Sequence, residues 1–300
     1  MDFETLTPAM RQYAELKKIY KDCIIMFRMG DFYEMFYEDA EVAAKELEIT
    51  LTSRGKGEKR APLAGVPYHA LDSYLTKLVK KGYKVAICEQ LEDPKKAKGL
   101  VKRGVVRVVT PGTLLEHTQA NTFIASLFVY GEKEAVAVCD LSTGEFFVTD
   151  GLEHITFDEC VIPSSLFVNA AFVQQVKRHG VFISDFDDRY FSMDNAYRAL
   201  LDHFRVLSLE GFGLRKDDAR VRAAGALLSY LRETQMQTLS HIKKISVKEV
   251  REHMVMDHVA VRNLELFHNI RDGTSRGSLL RVLDKTQTAM GGRLLRRWML

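Results

Sequence analysis

Leu71, Tyr74, Leu75, Leu78 and Val79 recur at i, i+3, i+4, i+7 and i+8, the spacing that lines one side of an α-helix with apolar groups. Gly82 can close that helix in a left-handed cap. The apolar run Val85–Cys88 that follows has the length of a buried strand. A helix with one apolar side next to a buried strand calls for a sheet layered with helices, an α/β arrangement. The preceding segments agree. Thr7-Pro8 gives an N-cap followed by proline at the first helical position, with Met10, Tyr13, Ala14 and Lys17 continuing at helical spacing. Cys23–Phe27 reads as a strand, Met29-Gly30 can turn it, and Phe32–Phe36 can return as a second strand. Asp39 starts an alanine-rich helix to about Leu47. Ser53–Arg60 is an exposed loop or hairpin tip, and Val105–Val109 is a further strand ending at Pro111-Gly112.

The segment 111–120 reads as a linker, and beyond it the texture changes. Phe123–Tyr130, Ala135–Asp140 and Glu145–Thr149 are consecutive strands, with turns at Gly131-Glu132 and Ser142-Thr143-Gly144. Ala170–His179, Asn195–Phe204 and Asp217–Arg232 follow as helices, with Val181–Ser184 as a strand. Strands first and helices after fit a ribonuclease-H-like layout. Past about Val250 the chain reads as mostly helical, with Val259, Arg262, Leu264 and Phe267 on one helix. Leu294, Leu295, Trp298 and Met299 form an apolar stripe without a partner, so the chain is expected to be a piece of a longer protein. The fold class expected is mixed α/β. Residues 1–114 form a small α/β domain, 115–250 a ribonuclease-H-like α/β domain, and 251–300 the truncated beginning of an all-helical core.

Composition narrows the function. The chain is 46% apolar and 28% charged, ample for buried cores. Its apolar stretches, such as Thr122–Tyr130, are shorter than the ~20 residues that span a bilayer. The acidic start Met1-Asp2-Phe3-Glu4 is unlike a signal peptide, so a soluble cytoplasmic protein is expected. Cys23, Cys88, Cys139 and Cys160 sit far apart in apolar stretches and read as buried thiols, and the histidines lack metal-ligand spacing. The net charge of +3 is unevenly spread: −5 over residues 1–50, +8 over 51–120, about −6 over 121–240 and +6 over 241–300. Two basic segments in a nearly neutral chain fit a polyanionic partner, although solvated surface lysines would give the same count.

In Arg28-Met29-Gly30-Asp31-Phe32-Tyr33-Glu34-Met35-Phe36, a period of two puts Phe32, Glu34 and Phe36 on one face and Tyr33 and Met35 on the other. Glu34 is costly on a core face and Phe32 is wasted on a solvent face. The pair suits a place where an apolar wedge enters a stack and a carboxylate hydrogen-bonds what it displaces. A sheet-edge phenylalanine beside a rim glutamate is the plainer alternative. The run RMGDFYEMF resembles the mismatch-recognition motif of the MutS family, in which a Phe-x-Glu triplet enters DNA. The resemblance continues through LTSRG at 51–55, AGVPYHA at 64–70, AICEQ at 86–90 and RVVTPGT at 107–113. It is weaker over 121–250 and returns in VLDKTQTAMGGRLLRRW before Met299.

The resemblance implies that 1–114 is a mismatch-recognition domain, 115–250 a connector and 251–300 the start of the helical core. It implies that Phe32 stacks on a mispaired base from the minor groove and kinks the duplex, while Glu34 hydrogen-bonds that base. Close phosphates raise a carboxylate's pKa, so Glu34 is expected to be protonated and to act as a donor there. Arg54, Lys56, Lys59, Arg60, Tyr68, His69, Lys95, Lys96, Lys98, Lys102 and Arg103 are candidate contacts to the DNA backbone. The partners implied are duplex DNA with mismatches or small loops, a second copy of the full-length protein, and a MutL-type repair protein on the connector; the location implied is nucleoid-associated. The phosphate-binding loop of the family's ATPase, G-x-x-x-x-G-K-[ST], has no match: Gly55-Lys56 is preceded by Thr50 where glycine should stand and followed by Gly57. No cofactor is expected in this piece; ATP and magnesium are expected beyond Leu300. A nuclease built on Asp140, Asp185, Asp187 and Asp188 is the competing enzyme reading, and turn chemistry accounts for those residues more simply.

Overall fold

Gly30, at φ +59°, turns the first hairpin. It stands at the first position of a two-residue connection, where only positive φ matches the twist of the flanking strands. The hairpin joins β1 (Cys23–Met29) to β2 (Phe32–Phe36), with Met29 paired to Phe32 and Phe27 to Glu34. These strands belong to a computed structural model that describes residues 6–55, 60–92, 99–114, 123–152, 155, 157–178, 180–236, 238–248, 256 and 258–299. The chain divides into two units: residues up to Leu114 with Arg232–Gln237, and Leu115–Leu231 with Thr238–Leu300.

In the first unit β1 and β2 are flanked by α1 (Pro8–Ile19) and α2 (Glu38–Leu47). Then come β3 (Thr52–Arg54), β4 (Ala61–Pro67), a 3-10 turn at Tyr68–Ala70, α3 (Leu71–Lys80), β5 (Lys84–Gln90) and β6 (Arg103–Val109). The strand order is β3-β4-β2-β1-β5-β6, with β1 and β5 parallel and the other pairs antiparallel. Alternation sorts the side chains. Ile24, Met26, Tyr33, Met35, Val66 and Val85 pack under the apolar sides of α2 and α3. Ile25, Phe27, Phe36, Ala86 and Val108 pack under Met10 and Tyr13 of α1. The expected linker begins later than Pro111. Pro111–Thr113 is a 3-10 turn in which Thr110 and Thr113 cap each other's backbone, so it belongs to this unit; residues 115–120 lie outside the described residues.

One carboxylate fixes α1 to the sheet. Asp39 stands in the first turn of α2, where unpaired backbone N–H groups favour negative charge. Its oxygens accept from Tyr13 Oη at 2.5 Å, from Lys17 Nζ at 2.7 Å and from the Ile25 N–H at 3.0 Å. Burial, then the Asp39 charge, raises the Tyr13 phenol far above its ordinary value, so Tyr13 is a donor at any working pH.

The second unit opens with the meander β7 (Phe123–Tyr130), β8 (Lys133–Asp140) and β9 (Glu145–Asp150). β10 (Glu159–Pro163) then pairs parallel with β7, and after α4 (Ser164–Phe167) and α5 (Ala170–Lys177), β11 (Phe182–Phe186) pairs parallel with β10. α6 (Met193–Phe204), α7 (Ala219–Gln235) and the short β12 (Ser246–Val247) complete the sheet order β11-β10-β7-β8-β9-β12. A three-strand meander with two parallel strands added beside its first strand is the ribonuclease-H-like arrangement. The sequence reading lacks β10, because its run starts on Glu159 and ends on Pro163. That glutamate is fully buried and accepts from Ser184 Oγ at 2.5 Å and Tyr230 Oη at 2.6 Å. Gly225 of α7 has Ala196 of α6 against it, where a Cβ would come within 2.3 Å of Ala196 Cα.

The remaining residues form α8 (His258–Asn263), α9 (Leu279–Leu283) and α10 (Ala289–Met299). The helix expected through Leu264 and Phe267 stops at Asn263, and 264–278 is a run of turns held by Asn269, Asp272 and Thr274. Leu294 and Trp298 are exposed.

Removing a partner from a buried charge pair costs ~3–5 kcal/mol, and Lys17 keeps some solvent here. Asp39→Ala is therefore expected to destabilise the first unit by about 3 kcal/mol in urea unfolding. A loss under about 1 kcal/mol would show that α1 is held by its apolar contacts alone.

Candidate nucleic-acid interface

The face of the first sheet that α1 covers is closed at one end and open at the other. Phe36 is 1% exposed, with the Tyr13 ring edge-on at 5.1 Å, whereas Phe32 on the same face is 48% exposed. Glu34 lies between them, its side chain 20% exposed. Its strand neighbours are Phe27 on β1 and Gly65 on β4. Gly65 leaves this patch bare: a Cβ there would stand 3.8 Å from Glu34 Cγ and 3.9 Å from Phe32 Cδ1. The result is an open aromatic ring beside a half-buried carboxylate, with no side chain at Gly65 to stand against them.

Arg54 completes the patch. Its Nη1 donates to Glu34 Oε2 at 2.8 Å. Burial raises the Glu34 carboxyl above the ordinary carboxylate value, and the Arg54 charge and hydrogen bond, then the Arg103 charge, pull it part of the way back. Burial prevails over pairing, so the carboxyl is poised to take up a proton more readily than a free glutamate.

The reverse side of the hairpin carries a second cluster. The Arg28 guanidinium lies 4.2 Å from the centre of the Tyr68 ring and 5.4 Å from that of Tyr33. Tyr33 Oη donates to Glu89, and burial, then that hydrogen bond, pushes its phenol up to about 12. The Tyr68 N–H donates to the Asp31 carbonyl at 2.9 Å, which ties the 3-10 turn to the hairpin tip. Arg28 and Glu89 were not singled out in the sequence. The pairing of Arg28 with Tyr33 across β1 and β2 is the signal that locates them.

The other expected contacts divide by geometry. Tyr68, His69, Arg60 and Lys102 are exposed, with the Tyr68 and His69 rings edge-to-face at 5.9 Å and Arg60 Nε donating to Ser53 Oγ at 2.5 Å. Arg103 is turned inward. Its Nε donates to the Arg28 carbonyl at 2.7 Å and its Nη1 to the Val101 carbonyl at 2.9 Å, and it lies 5.3 Å from the Phe27 ring centre. Lys56, Lys59, Lys95, Lys96 and Lys98 lie outside the described residues.

The nuclease alternative finds no cluster. Asp140 accepts from the Ser142 N–H and Oγ of its own turn, Asp187 accepts from the Arg189 N–H, and Asp188 accepts from the Ser165 backbone. Among the described residues no group of three or more His, Cys, Asp or Glu could hold a metal ion, and no helix is long and apolar enough to cross a membrane. The four cysteines are buried and unpaired, as expected.

Residues 7–118 match the family model described as MutS domain I, 122–243 match MutS domain II and 259–300 match MutS domain III. The chain belongs to the MutS family. Curated relatives named DNA mismatch repair protein MutS are similar along its length. That of Methanococcoides burtonii is 47% identical over 98% of this chain and 35% of its own length. That of Lachnoclostridium phytofermentans is 47% identical over 97% of this chain and 33% of its own length, and that of Acetivibrio thermocellus 46% over 98% and 36%. The chain thus spans about a third of the length of the curated MutS relatives it matches. The Phe32–Glu34 patch, with Arg54, Gly65, Arg28 and Tyr68 around it, lies wholly within the part that matches MutS domain I.

The raised Glu34 carboxyl has a consequence for stability. Because folding favours its protonated form, its contribution is fully present below the unfolded carboxylate value and is lost as pH rises through the folded value. At pH 7 Glu34→Gln is therefore expected to leave the unfolding free energy unchanged or raise it, with the difference vanishing in acid. A loss at pH 7 of more than ~1 kcal/mol in urea unfolding would show that the Arg54 pair outweighs burial.

Proposed function

We propose that the first unit detects mispaired or unpaired bases in duplex DNA by inserting Phe32 from the minor groove, with Glu34 hydrogen-bonding the displaced base. The observation that carries this reading is the half-exposed Phe32 ring at the bare end of an otherwise covered sheet face, next to a half-buried carboxylate. An exposed aromatic held on a strand is a rigid wedge. Inserting it costs a few kcal/mol of base unstacking, and a mispaired step costs less because its stacking and pairing are already weak. Selection then follows from how easily the duplex deforms rather than from base edges.

Glu34 supplies the polar half. A carboxyl already raised by burial is raised further by phosphates, and the protonated acid can donate to a base acceptor where a carboxylate could not. The exposed Tyr68, His69, Arg60 and Lys102 are assigned to the DNA backbone, which positions the wedge and makes affinity salt-dependent. The relatives' name, DNA mismatch repair protein, supports the same substrate. This reading places the protein at the start of mismatch repair, on nucleoid DNA, as part of a dimeric clamp. Its second unit would meet a MutL-type protein. ATP and magnesium would act in a part of the protein outside these residues.

Phe32→Ala is expected to leave stability within about 1 kcal/mol, because an exposed ring is lost. It should lower the preference for mismatched over matched duplex by a factor of about 5 to 150, the worth of one base–aromatic stack. Phe36→Ala, on the same face but buried, is expected to cost ~3–5 kcal/mol of stability and to spare the preference of the folded fraction. The checks are urea unfolding and the ratio of dissociation constants in the intact protein. A Phe32→Ala protein that keeps the full ratio would overturn the assignment.

A further inference from the structure

Arg54 carries a consequence that rests on the proposed reading of Glu34. It stands on β3, two strands from Glu34, and puts a guanidinium N–H on the carboxylate at 2.8 Å while its own side chain stays 48% exposed. Four strands contribute groups near Glu34. β1 contributes Phe27 and β4 contributes Gly65, both uncharged; β3 contributes Arg54 and β6 contributes Arg103. Arg103 is fixed by the carbonyls of Arg28 and Val101. Arg54 therefore holds the movable charge. We propose that Arg54 is a positioning residue that latches Glu34 as a carboxylate in the DNA-free protein, and that Glu34 engages a mispaired base only once this latch opens.

The physical logic is a competition. While Arg54 is bound, the guanidinium favours the ionised form and occupies a carboxylate oxygen that the base would otherwise meet. When Arg54 lets go, only the fixed Arg103 charge still opposes burial, and the balance moves further toward the acid, which is the form that donates. The pair is partly exposed, so opening it is cheap, within the range of surface ion pairs. A latch of that strength sets a threshold without abolishing binding. A matched duplex, which does not bring a base to Glu34, gains nothing by opening it.

This role differs from that of a phosphate contact, and the two are separable. The carboxyl carbon of Glu34 is followed by NMR across a pH titration of the DNA-free chain, in the wild type, Arg54→Gln and Arg54→Lys. The latch predicts a Glu34 midpoint that moves up in Arg54→Gln and is largely restored in Arg54→Lys. In the intact protein near pH 8, it predicts that Arg54→Gln binds a mismatched duplex about two- to fivefold tighter, the range of a surface ion pair no longer broken. The preference for mismatched over matched duplex should rise by the same factor. An unmoved midpoint would overturn the proposal. So would a parallel loss of affinity for matched and mismatched duplex with the slope lowered by about one unit, the signature of a phosphate ligand. If the wild type shows no mismatch preference, the reading of Phe32 and Glu34 fails, while the titration still decides whether Arg54 latches Glu34.

Discussion

The open patch at Phe32 exists because α1 covers only part of one sheet face. A helix of 12 residues is about 18 Å long, and Asp39 pins it where Tyr13 closes over Phe27 and Phe36. Beyond Phe36 the same face continues as Glu34, half-buried beside the Arg54 guanidinium, and then as Phe32, which is open to solvent. The buried end gives the strand its rigidity and the open end presents the side chains. One strand is thus half core and half open surface, and the boundary runs through a single residue, Glu34.

That boundary explains the electrostatics. A carboxyl at the edge of a core is partly desolvated, and an arginine two strands away partly compensates it. Neither effect is complete. A residue tuned for stability would be fully paired or fully solvated, and one left between these states can change protonation when its surroundings change. On the proposed reading, the phosphates of a bent duplex would be such a change. Gly65 contributes by omission, since a side chain there would stand against both Phe32 and Glu34. On the reverse side, Arg28 between the Tyr33 and Tyr68 rings braces the hairpin tip from which Phe32 projects.

Much of this was legible in the sequence, and the exceptions have physical causes. The amphipathic repeat through Leu71 and Val79, the turn at Gly30 and the alternation of Phe32–Phe36 placed α3, the first hairpin and the site strand. Local spacing determines all three. β10 was missed because its ends are glutamate and proline. Only the tertiary partners Ser184 and Tyr230 make a buried Glu159 acceptable. The helix expected on Val259, Arg262, Leu264 and Phe267 ends at Asn263, and beyond it Asn269, Asp272 and Thr274 bond locally and compete with the helix backbone. Period and motif single out Phe32 and Glu34, the side chains at the open end of this face. They do not reveal the Arg54–Glu34 pair, because it depends on strand order, which puts β4 between β2 and β3. Charge composition groups Arg103 with Lys102, and the Arg28 and Val101 carbonyls turn Arg103 toward the sheet.

The central claim is that the Phe32 ring touches a mispaired base, and photocrosslinking tests it directly. A duplex carrying a single 5-iodouracil opposite guanine is irradiated in complex with the intact protein, and the adduct is mapped by peptide mass spectrometry. The account predicts an adduct on Phe32 that disappears when the same 5-iodouracil is paired with adenine. An adduct on a different residue, or equal crosslinking of Phe32 in the matched duplex, would contradict it.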